Sequence, residues 1–468
     1  MAKKKKAIKK KASKKKSARS SKAAGSRKKP AASKKKAARK KPARKKAATK
    51  KAAAVGKKRA SKKKAARKKK ATTTKPARKK AASKKARSAK KAKRSPRKNM
   101  DELDRKTVEL IDRTAAMVRR KITAETLPEL KFPVRSLSNV NYDRKVGYFE
   151  LGKGRKNRAL TVNTVRSFAQ TLKLMALSKE MVEKEDFATK REAYYISKNW
   201  GECKFRDQPE SDTVMDDIEA LASLDGVNRE QLRYRPEEHG GSVAGQLVVV
   251  DRDKESGEEL RIDCTGFGSG AYTIPSSVEH LRFETKAKFI LAIETGGMFA
   301  RLNEHKYWRD ANCILISMQG VPSRSQRRFI RRLSDERKLP VYCFVDCDPY
   351  GIANIYRTLK VGSGNAAHIN RFFCVPRARF LGVTPQDILD FDLADATHDL
   401  QAVDVKRAKD ALKNDPFFQA HPPWKKALNQ LLKMRKRAEQ QALAKWGLNF
   451  VIDEYLPRKL KNPKSFLP

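Results

Sequence analysis

Acidic residues follow two apolar runs of the chain, at the point where each run ends. Glu294 comes directly after Phe289–Ile293, and Asp346 and Asp348 come directly after Val341–Val345. Ligands of open α/β sheets sit at the carboxyl ends of the strands, and residues two apart on a strand face one side. We therefore expect the three carboxylates to converge. A hard divalent cation such as Mg²⁺ would relieve their repulsion. The alternative is that each acidic residue caps the helix that follows its strand, which explains a single Asp well but three acidic residues together poorly.

A second candidate for chemistry is a tyrosine in a segment predicted to be helical from Thr189 to Trp200. Arg191 and Tyr195 are four residues apart, so their side chains share a helix face, and Tyr194 points elsewhere. A phenol is a weak nucleophile at neutral pH, and an arginine one turn away favours the phenolate and stabilises a phosphorus centre under attack. Attack on a phosphodiester gives a phosphotyrosine bond that conserves the bond energy. The alternative is core packing, the commoner role of such a pair.

The elements that would hold the carboxylates form an α/β pattern beginning near Lys288. Continuous apolar runs separated by helices indicate buried parallel strands. The runs are Phe289–Ile293, Cys313–Ile316 and Val341–Val345, with a helix at Ser323–Arg337. The arginines of that helix could form a solvated face or hold phosphates. We further predict a helix from about Trp424 to Trp446 and a strand at Asn449–Ile452.

The elements that would hold the tyrosine are helical. The apolar periodicity predicts helices at Asp101–Ile122, from an Asn163 cap to about Ala176, at Thr189–Trp200, and from Ser211 to a stop at Gly226. Strand patterns follow at Gln246–Asp251 and Glu259–Cys264. Short helices followed by such strands suit a winged-helix (CAP-like) module, a class that commonly docks on DNA.

Most of the excess positive charge lies in the first hundred residues. The 468-residue chain has 111 Lys and Arg against 51 Asp and Glu, and residues 1–100 contain 49 of the basic residues and none of the acidic ones. The segment repeats KPARKKAA and resembles the tails of linker histones. It has too little apolar surface to fold alone, so we expect disorder and a polyanionic partner. A solubilising or targeting tail is the alternative.

The remaining composition excludes several classes of protein. The six cysteines are scattered without a CxxC pair, which indicates a reducing compartment, no disulfide framework and no zinc site. No apolar run is long enough for a transmembrane helix, and the amino terminus lacks the apolar region of a secretory signal. We expect a cytoplasmic, nucleoid-associated protein that does not bind membranes.

Several motifs, in order along the chain, closely resemble the A subunits of topoisomerase VI, the type IIB DNA topoisomerases, and more distantly the meiotic double-strand-break transesterases. The resemblance runs from about Asp101 to the carboxyl terminus and rests on Thr189–Tyr195, Asp207–Ser211, Glu294–Phe299, Leu339–Val341, Asp346–Gly351, Gly382–Pro385, Arg437–Ala444 and Asp453–Pro457.

The resemblance implies specific roles for the candidate residues. Tyr195 would be the nucleophile and Arg191 its helper, while Glu294 and Asp346 would be the principal Mg²⁺ ligands, supported by Asp348. The fold would be a winged-helix domain followed by a Toprim α/β domain. The family cuts both strands of double-stranded DNA through 5′-phosphotyrosyl links, passes DNA through the break and reseals it.

The resemblance also implies partners and a domain plan. Two A subunits would form a homodimer within an A2B2 heterotetramer whose B subunits bind ATP, in agreement with the lack of a Walker-type loop here. We expect a basic tail at 1–100, an N-terminal extension at 101–160, a winged-helix domain with the tyrosine at 161–236, and the Toprim domain with C-terminal elements at 237–468.

Two other functions remain open from the sequence. One is a transesterase that makes breaks without resealing them, and the other is a catalytically silent nucleoid protein in which the tail dominates. The long tail and the cysteine within Asp346-Cys347-Asp348 depart from the usual pattern of the family.

Overall fold

The computed structural model describes residues 102–236, 240–253 and 255–468. The tail at 1–100 lies outside these residues, so its expected disorder stays a prediction. Within the described ranges, no helix is both long and apolar enough to cross a membrane.

The amino-terminal part combines helices with short strands around an apolar core of its own. Its elements are α1 (Glu102–Thr123), β1 (Glu129–Pro133), β2 (Val140–Tyr142), β3 (Phe149–Leu151), β4 (Arg155–Ala159), α2 (Val165–Glu183), β5 (Ala188–Thr189), α3 (Lys190–Ile196), α4 (Gln208–Ala222) and β6 (Tyr234–Arg235). Each helix contributes an apolar residue to this core, which contains Leu110, Leu174, Ala193 and Ile218. We call this part the helical module.

The predicted helices of this module exist, but several of their ends differ. Thr164 rather than Asn163 precedes α2, which continues to Glu183 because its apolar face continues. The α-helical part of the tyrosine segment ends at Ile196 and gives way to a 3-10 turn. The fourth helix begins three residues early, since Asp207 caps it, and Gly226 follows its last turn with a left-handed φ of +83°. The stop at Gly226 is confirmed.

Strands β1 and β4 form an antiparallel ribbon against the helices. Glu129 to Pro133 pair with Ala159 to Arg155 in register. Leu130 and Phe132 of β1 bury their side chains with Val118 of α1 and Phe168 of α2. The ribbon thus gives the helical module a small sheet that precedes most of its helices in the chain.

The second part of the chain is built on a mixed sheet with helices. Its elements are β7 (Ser242–Gly245), β8 (Val248–Arg252), β9 (Glu259–Asp263), β10 (Tyr272–Thr273), β11 (Arg282–Glu284), β12 (Phe289–Ile293), α5 (Gly296–Glu304), α6 (Tyr307–Asp310), β13 (Cys313–Ser317), α7 (Arg324–Arg337), β14 (Val341–Phe344), α8 (Arg357–Lys360), α9 (Asn370–Phe373) and β15 (Ala378–Gly382). The strand order is β10-β7-β13-β12-β14-β15, and the last four strands run parallel. The predicted parallel strands are confirmed.

The two strands expected as part of a winged helix belong elsewhere. Strand β8 pairs with β9 and β11 in a separate antiparallel sheet. Val249 of β8 and Phe283 of β11 lie in the same core as the central strands, away from the core of the helical module. A strand pattern in a sequence shows that a strand forms, but not which sheet it joins. The assignment of these strands to the helical module is therefore wrong.

The C-terminal part covers the end of the central sheet. It contains α10 (Pro385–Asp390), β16 (His398–Asp399), α11 (Ala402–Asn414), α12 (Pro416–Ala420), α13 (Pro422–Met434), β17 (Lys436–Arg437) and α14 (Leu456–Leu460). The prediction of one helix from Trp424 to Trp446 is wrong, because Arg435 adopts a left-handed φ of +55° and ends α13. The predicted strand at Asn449–Ile452 is wrong too, since Val451–Tyr455 is a helical turn.

Candidate active site

Two of the candidate carboxylates lie at the same edge of the central sheet. Strands β12 and β14 are parallel neighbours, with Ile293 opposite Phe344. Glu294 directly follows β12, and Asp346 comes two residues after β14 ends. The backbone N–H of Asp346 donates a hydrogen bond to Oε2 of Glu294 at 2.8 Å. The strand ends thus bring Glu294 and Asp346 together, whereas the expected set of three converging ligands is not found among the described residues.

Backbone amides also hold the two aspartates. The N–H of Gln440 donates to Oδ1 of Asp346 at 2.8 Å. The N–H of Gly351 donates to Oδ1 of Asp348 at 2.5 Å, and Nη1 of Arg437 lies 3.8 Å from Oδ2 of the same residue. Both aspartates therefore face the C-terminal segment, and Asp348 is also held against the turn that follows it.

Burial makes the three carboxyl groups harder to ionise, and repulsion from neighbouring carboxylates adds to the effect. Burial raises the pKa of Glu294 to about 8, and the charge of Asp346 adds to the rise. Burial also raises the pKa of Asp346 to about 6, and it raises the pKa of Asp348. The charged forms are poorly solvated and lie near charges of the same sign. A cation at this edge would relieve both costs.

The chemistry of these donors fits Mg²⁺, although the side chains do not form a closed shell of ligands. In the part of the chain that the structure describes, no group of three or more His, Cys, Asp or Glu side chains is arranged to hold a metal ion. Mg²⁺ commonly binds through one or two carboxylates, keeps several waters and takes further oxygens from substrate phosphates. Glu294 and Asp346, joined at the sheet edge, suit that mode of binding.

The tyrosine pair of α3 separates into an exposed and a half-buried member. Tyr195 leaves 57% of its surface exposed. Tyr194 is half-buried, its hydroxyl lies 3.4 Å from the carbonyl oxygen of Arg206, and Nζ of Lys198 sits 4.1 Å from its ring centre. The two rings pack edge to face with centres 5.4 Å apart. Tyr194 therefore packs against the helical module, and Tyr195 is open to an incoming substrate.

Helix α3 presents Arg191 and Tyr195 to solvent on a fixed turn. The hydroxyl of Thr189 accepts from the N–H of Glu192, and the carboxylate of Glu192 accepts from the N–H of Thr189, so both ends of a capping box are present. Ala193 on the opposite side is fully buried. The position of the tyrosine is thus set by packing in the core of the helical module, and the positions of the carboxylates by packing in the core of the central sheet.

Two arginines of α7, Arg324 and Arg328, bind acceptors inside the protein. Arg324 contacts Glu219 of α4 at 2.6 Å and Glu230 at 2.9 Å. Arg328 donates to both oxygens of Glu279, at 2.7 and 2.8 Å. Neither the solvated face nor the phosphate contact considered from the sequence describes these two side chains. Arg324 instead joins α7 to the helical module.

Sequence patterns alone assign no role to the segment Arg437–Gln440, which forms one side of the site. The backbones of Ala438 and Cys347 exchange two hydrogen bonds, at 2.7 and 3.1 Å, so the segment lies antiparallel to the chain between the two aspartates. We call Arg437–Gln440 the C-terminal clasp. Its residues fall within a motif that carried the family resemblance, and that motif was the available signal.

Models of known families match most of the part of the chain after the tail. The model described as type IIB DNA topoisomerase matches residues 166–233. The all-beta domain in DNA topoisomerase VI alpha subunit matches 237–287, and the Toprim domain of the topoisomerase 6 A-subunit/Spo11 family matches 289–460. The last of these covers the strands that carry the three carboxylates.

Curated relatives, each named as the A-subunit of type 2 DNA topoisomerase 6, are similar over nearly their whole length. The protein of Methanocaldococcus jannaschii is 53% identical over 341 residues, which are 73% of this chain and 90% of the relative. The protein of Archaeoglobus fulgidus is 35% identical over 365 residues, covering 77% of this chain and 98% of the relative. The protein of Methanothermobacter thermautotrophicus is 37% identical over 342 residues, 73% of this chain and 93% of the relative.

Proposed function

The chain belongs to the A-subunit family of topoisomerase VI, the type IIB DNA topoisomerases, and we propose that it is the DNA-cleaving component of an ATP-dependent type II topoisomerase. Its reaction is a transient double-strand break, strand passage and resealing. The observation that carries the proposal is the presence, in one chain, of an exposed tyrosine on a capped helix and of carboxylates at the edge of a Toprim sheet.

Tyr195 is the nucleophile of this proposal. Its phenol oxygen bonds to a backbone phosphorus of DNA, the bond from phosphorus to the 3′ oxygen breaks, and that oxygen takes up a proton. The phenol proton leaves to solvent, while Arg191 one turn away would stabilise the negative charge on the phosphate under attack. Resealing runs the same bonds in reverse, since the 5′-phosphotyrosyl link conserves the bond energy.

Glu294 and Asp346 would hold Mg²⁺, with Asp348 as a supporting carboxylate. The ion supplies positive charge that stabilises the phosphate oxygens and the leaving oxygen of the reaction. The backbone N–H bonds to Glu294, Asp346 and Asp348 keep each carboxylate at a set angle before the ion arrives. Preset ligands lose little conformational freedom on binding.

The proposed assembly has two copies of this chain and two B subunits that bind ATP. The helical module would dock on double-stranded DNA as a winged-helix domain, and the ribbon of β1 and β4 would replace the strands β8 and β9 as its sheet. Of the expected ranges we keep 237–468 as a proposed domain, and we propose that 101–160 and 161–236 together form the other. The packing of α1 with α2 in one core supports treating these two ranges as one body.

The test of this function is a trapped covalent complex. Supercoiled DNA, ATP and Mg²⁺ are added to the full chain with its B subunit, and the reaction is stopped with denaturant. We expect protein attached to 5′ ends with wild type and none with Tyr195→Phe, which keeps the ring and removes the nucleophilic oxygen.

Tyr194→Phe is the matched control, because its hydroxyl makes only a 3.4 Å contact with a backbone oxygen. It should form the covalent complex within about threefold of wild type, since losing one neutral hydrogen bond costs about 1 kcal/mol or less. Loss of the adduct in Tyr194→Phe and its persistence in Tyr195→Phe would show that the wrong tyrosine has been assigned. Cleavage without resealing would favour the break-forming transesterase.

A further inference from the structure

Gln440 of the C-terminal clasp is fully buried and uses every polar group on its side chain. Its Nε2 donates to the carbonyl oxygen of Phe344 at 2.7 Å. Its Oε1 accepts from the hydroxyl of Thr295 at 2.8 Å. Phe344 is the last residue of β14, and Thr295 directly follows Glu294. One side chain therefore spans the ends of both strands that carry the principal carboxylates.

The orientation of this amide follows from its partners. A carbonyl oxygen can only accept, so the nitrogen of the amide must face Phe344, and the oxygen then faces the hydroxyl of Thr295. That hydroxyl also accepts from the N–H of Met298 at 3.4 Å, where it caps α5. A hydroxyl that accepts there is free to donate its one proton to Gln440.

These bonds close a ring that contains both carboxylates. The N–H of Gln440 donates to Asp346, and the N–H of Asp346 donates to Glu294. The N–H of Glu294 donates to the carbonyl of Phe344 at 3.0 Å, which is the same carbonyl that accepts from Gln440. A shift of Gln440 therefore moves the donor on Asp346 and, through Asp346, the donor on Glu294.

We propose that Gln440 is a positioning residue for the metal-binding carboxylates, fixing the angle of Asp346 relative to Glu294 through its bonds to Phe344 and Thr295. This inference rests on the proposed function for the identity of the ligand, but its geometry does not depend on the tyrosine. Groups that orient metal ligands commonly change metal affinity or activity by about 10-fold to 100-fold when lost.

Gln440→Met tests the proposal, since it keeps the length of the side chain and removes its donor and acceptor. The carbonyl of Phe344 keeps its bond from Glu294, so we expect the fold and its thermal midpoint to stay close to wild type. Gln441→Met is the matched control, because Gln441 is the adjacent residue of the same type and is exposed.

The first readout is the Mg²⁺ concentration that gives half-maximal DNA cleavage by the full chain with its B subunit. For Gln440→Met we expect this concentration to rise at least about tenfold, while the rate at saturating Mg²⁺ falls much less. The second readout is Mn²⁺ binding to the chain without DNA, followed by the electron paramagnetic resonance of free Mn²⁺. The affinity for Mn²⁺ should fall by a similar factor.

Substitutions at Thr295 provide an independent check from the other end of the same bond. Thr295→Val removes the hydroxyl and should raise the Mg²⁺ requirement as Gln440→Met does. Thr295→Ser keeps the hydroxyl and should restore values near wild type. Because Gln440→Met already breaks the bond through which Thr295 acts on the site, adding Thr295→Val to it should raise the Mg²⁺ requirement little further.

The outcomes separate this proposal from the proposed function. If Gln440→Met matches Gln441→Met in both Mg²⁺ requirement and Mn²⁺ affinity, Gln440 has no positioning role. A lowered thermal midpoint with equal loss of cleavage at every Mg²⁺ concentration also overturns it, since that result shows a structural role alone. If wild type makes no covalent complex, the proposed function fails, and the Mn²⁺ measurement still decides the role of Gln440.

Discussion

Glu294, Asp346 and Asp348 differ in how the fold holds them, and the difference predicts unequal roles. Glu294 and Asp346 share a hydrogen bond across neighbouring strand ends. Asp348 faces the amide of Gly351 and the guanidinium of Arg437. Both aspartates accept from a backbone amide, so the nearby guanidinium of Arg437 is what distinguishes Asp348, and we expect Asp348 to contribute less to a metal ion than Asp346.

Asp346→Asn should therefore lower the rate of DNA cleavage more than Asp348→Asn does. We expect cleavage to fall at least about a hundredfold for the first, since a bound metal contributes several kcal/mol to such a reaction. For Asp348→Asn we expect a smaller loss that added Mg²⁺ partly restores. Initial rates of covalent complex formation across a Mg²⁺ titration measure both. Equal losses that Mg²⁺ does not restore would show Asp348 to be a principal ligand.

Removal of the metal gives a second prediction for the same residues. The proposed Mg²⁺ site exists only in the folded chain, so Mg²⁺ should raise the thermal midpoint of wild type and chelation with EDTA should reverse that rise. The doubly substituted Glu294→Gln, Asp346→Asn chain should show no such shift. Differential scanning fluorimetry with and without Mg²⁺ measures it, and Ca²⁺ serves as an oxygen-seeking control ion. A full shift in the double variant would place the ion elsewhere.

At the level of elements, helices α4 and α7 meet through a buried ionic cluster. Glu219 is fully buried between Arg324 and Arg229, at 2.6 and 2.9 Å. Burial acts to raise the pKa of Glu219, but the two arginines outweigh it and hold the pKa well below its usual value. Because α4 belongs to the helical module and α7 packs on the central sheet, this cluster fixes the tyrosine's module against the carboxylates' sheet.

Arg324→Met should destabilise the chain by about 3 to 5 kcal/mol, because it leaves the buried charges of Glu219 and Glu230 without their main partner. Urea unfolding followed by circular dichroism measures the loss. Arg337→Met, on the last turn of the same helix, is the control and should cost much less. If the two variants unfold at the same urea concentration, the cluster does not hold the modules together.

The sequence predicted the strands of the central sheet well and several other elements poorly, for physical reasons. Buried parallel strands such as Phe289–Ile293 are recognisable because both of their faces are apolar. The end of helix α13 at Arg435 could not be predicted, because an arginine does not indicate a left-handed backbone conformation. The role of Arg324 in α7 could not be predicted, because the acidic residues that bind it lie about a hundred positions earlier in the chain.

The candidate site shows the same contrast. Glu294, Asp346 and Asp348 were recognisable because acidic residues after apolar runs are conspicuous, and their roles stay proposals. Gln440 was not recognisable, since its position opposite the strand ends depends on the course of the chain from α13 onward. A residue that acts through hydrogen bonds to distant backbone groups carries no local pattern.

In the molecule as a whole, the segment expected to attract DNA is separate in sequence from the residues proposed to cleave it. Residues 1–100 carry no acidic residue, while the arginines of α7 described above are neutralised within the protein. The tail should therefore supply much of the sequence-independent affinity for DNA.

Deletion of residues 1–98 should weaken DNA binding at low salt and flatten its dependence on salt, because fewer counterions are released. Mg²⁺-dependent cleavage at saturating DNA should persist. Fluorescence anisotropy over a range of salt concentrations measures the affinity, and a chain whose tail lysines are replaced by glutamine is the control for charge. Complete loss of cleavage at saturating DNA would refute a role limited to tethering.

The placement of Tyr195 and the carboxylates on different hydrophobic cores has a consequence for the conditions under which DNA is cut. A chain whose nucleophile lay beside a fully formed metal site could cleave DNA without any further assembly. Among the residues that the structure describes, the carboxylates form no closed shell of ligands, and the tyrosine faces solvent on another module. We expect the chain without its B subunit to form little covalent complex with DNA, because the nucleophile and the metal ligands act together only once DNA and a metal ion are bound.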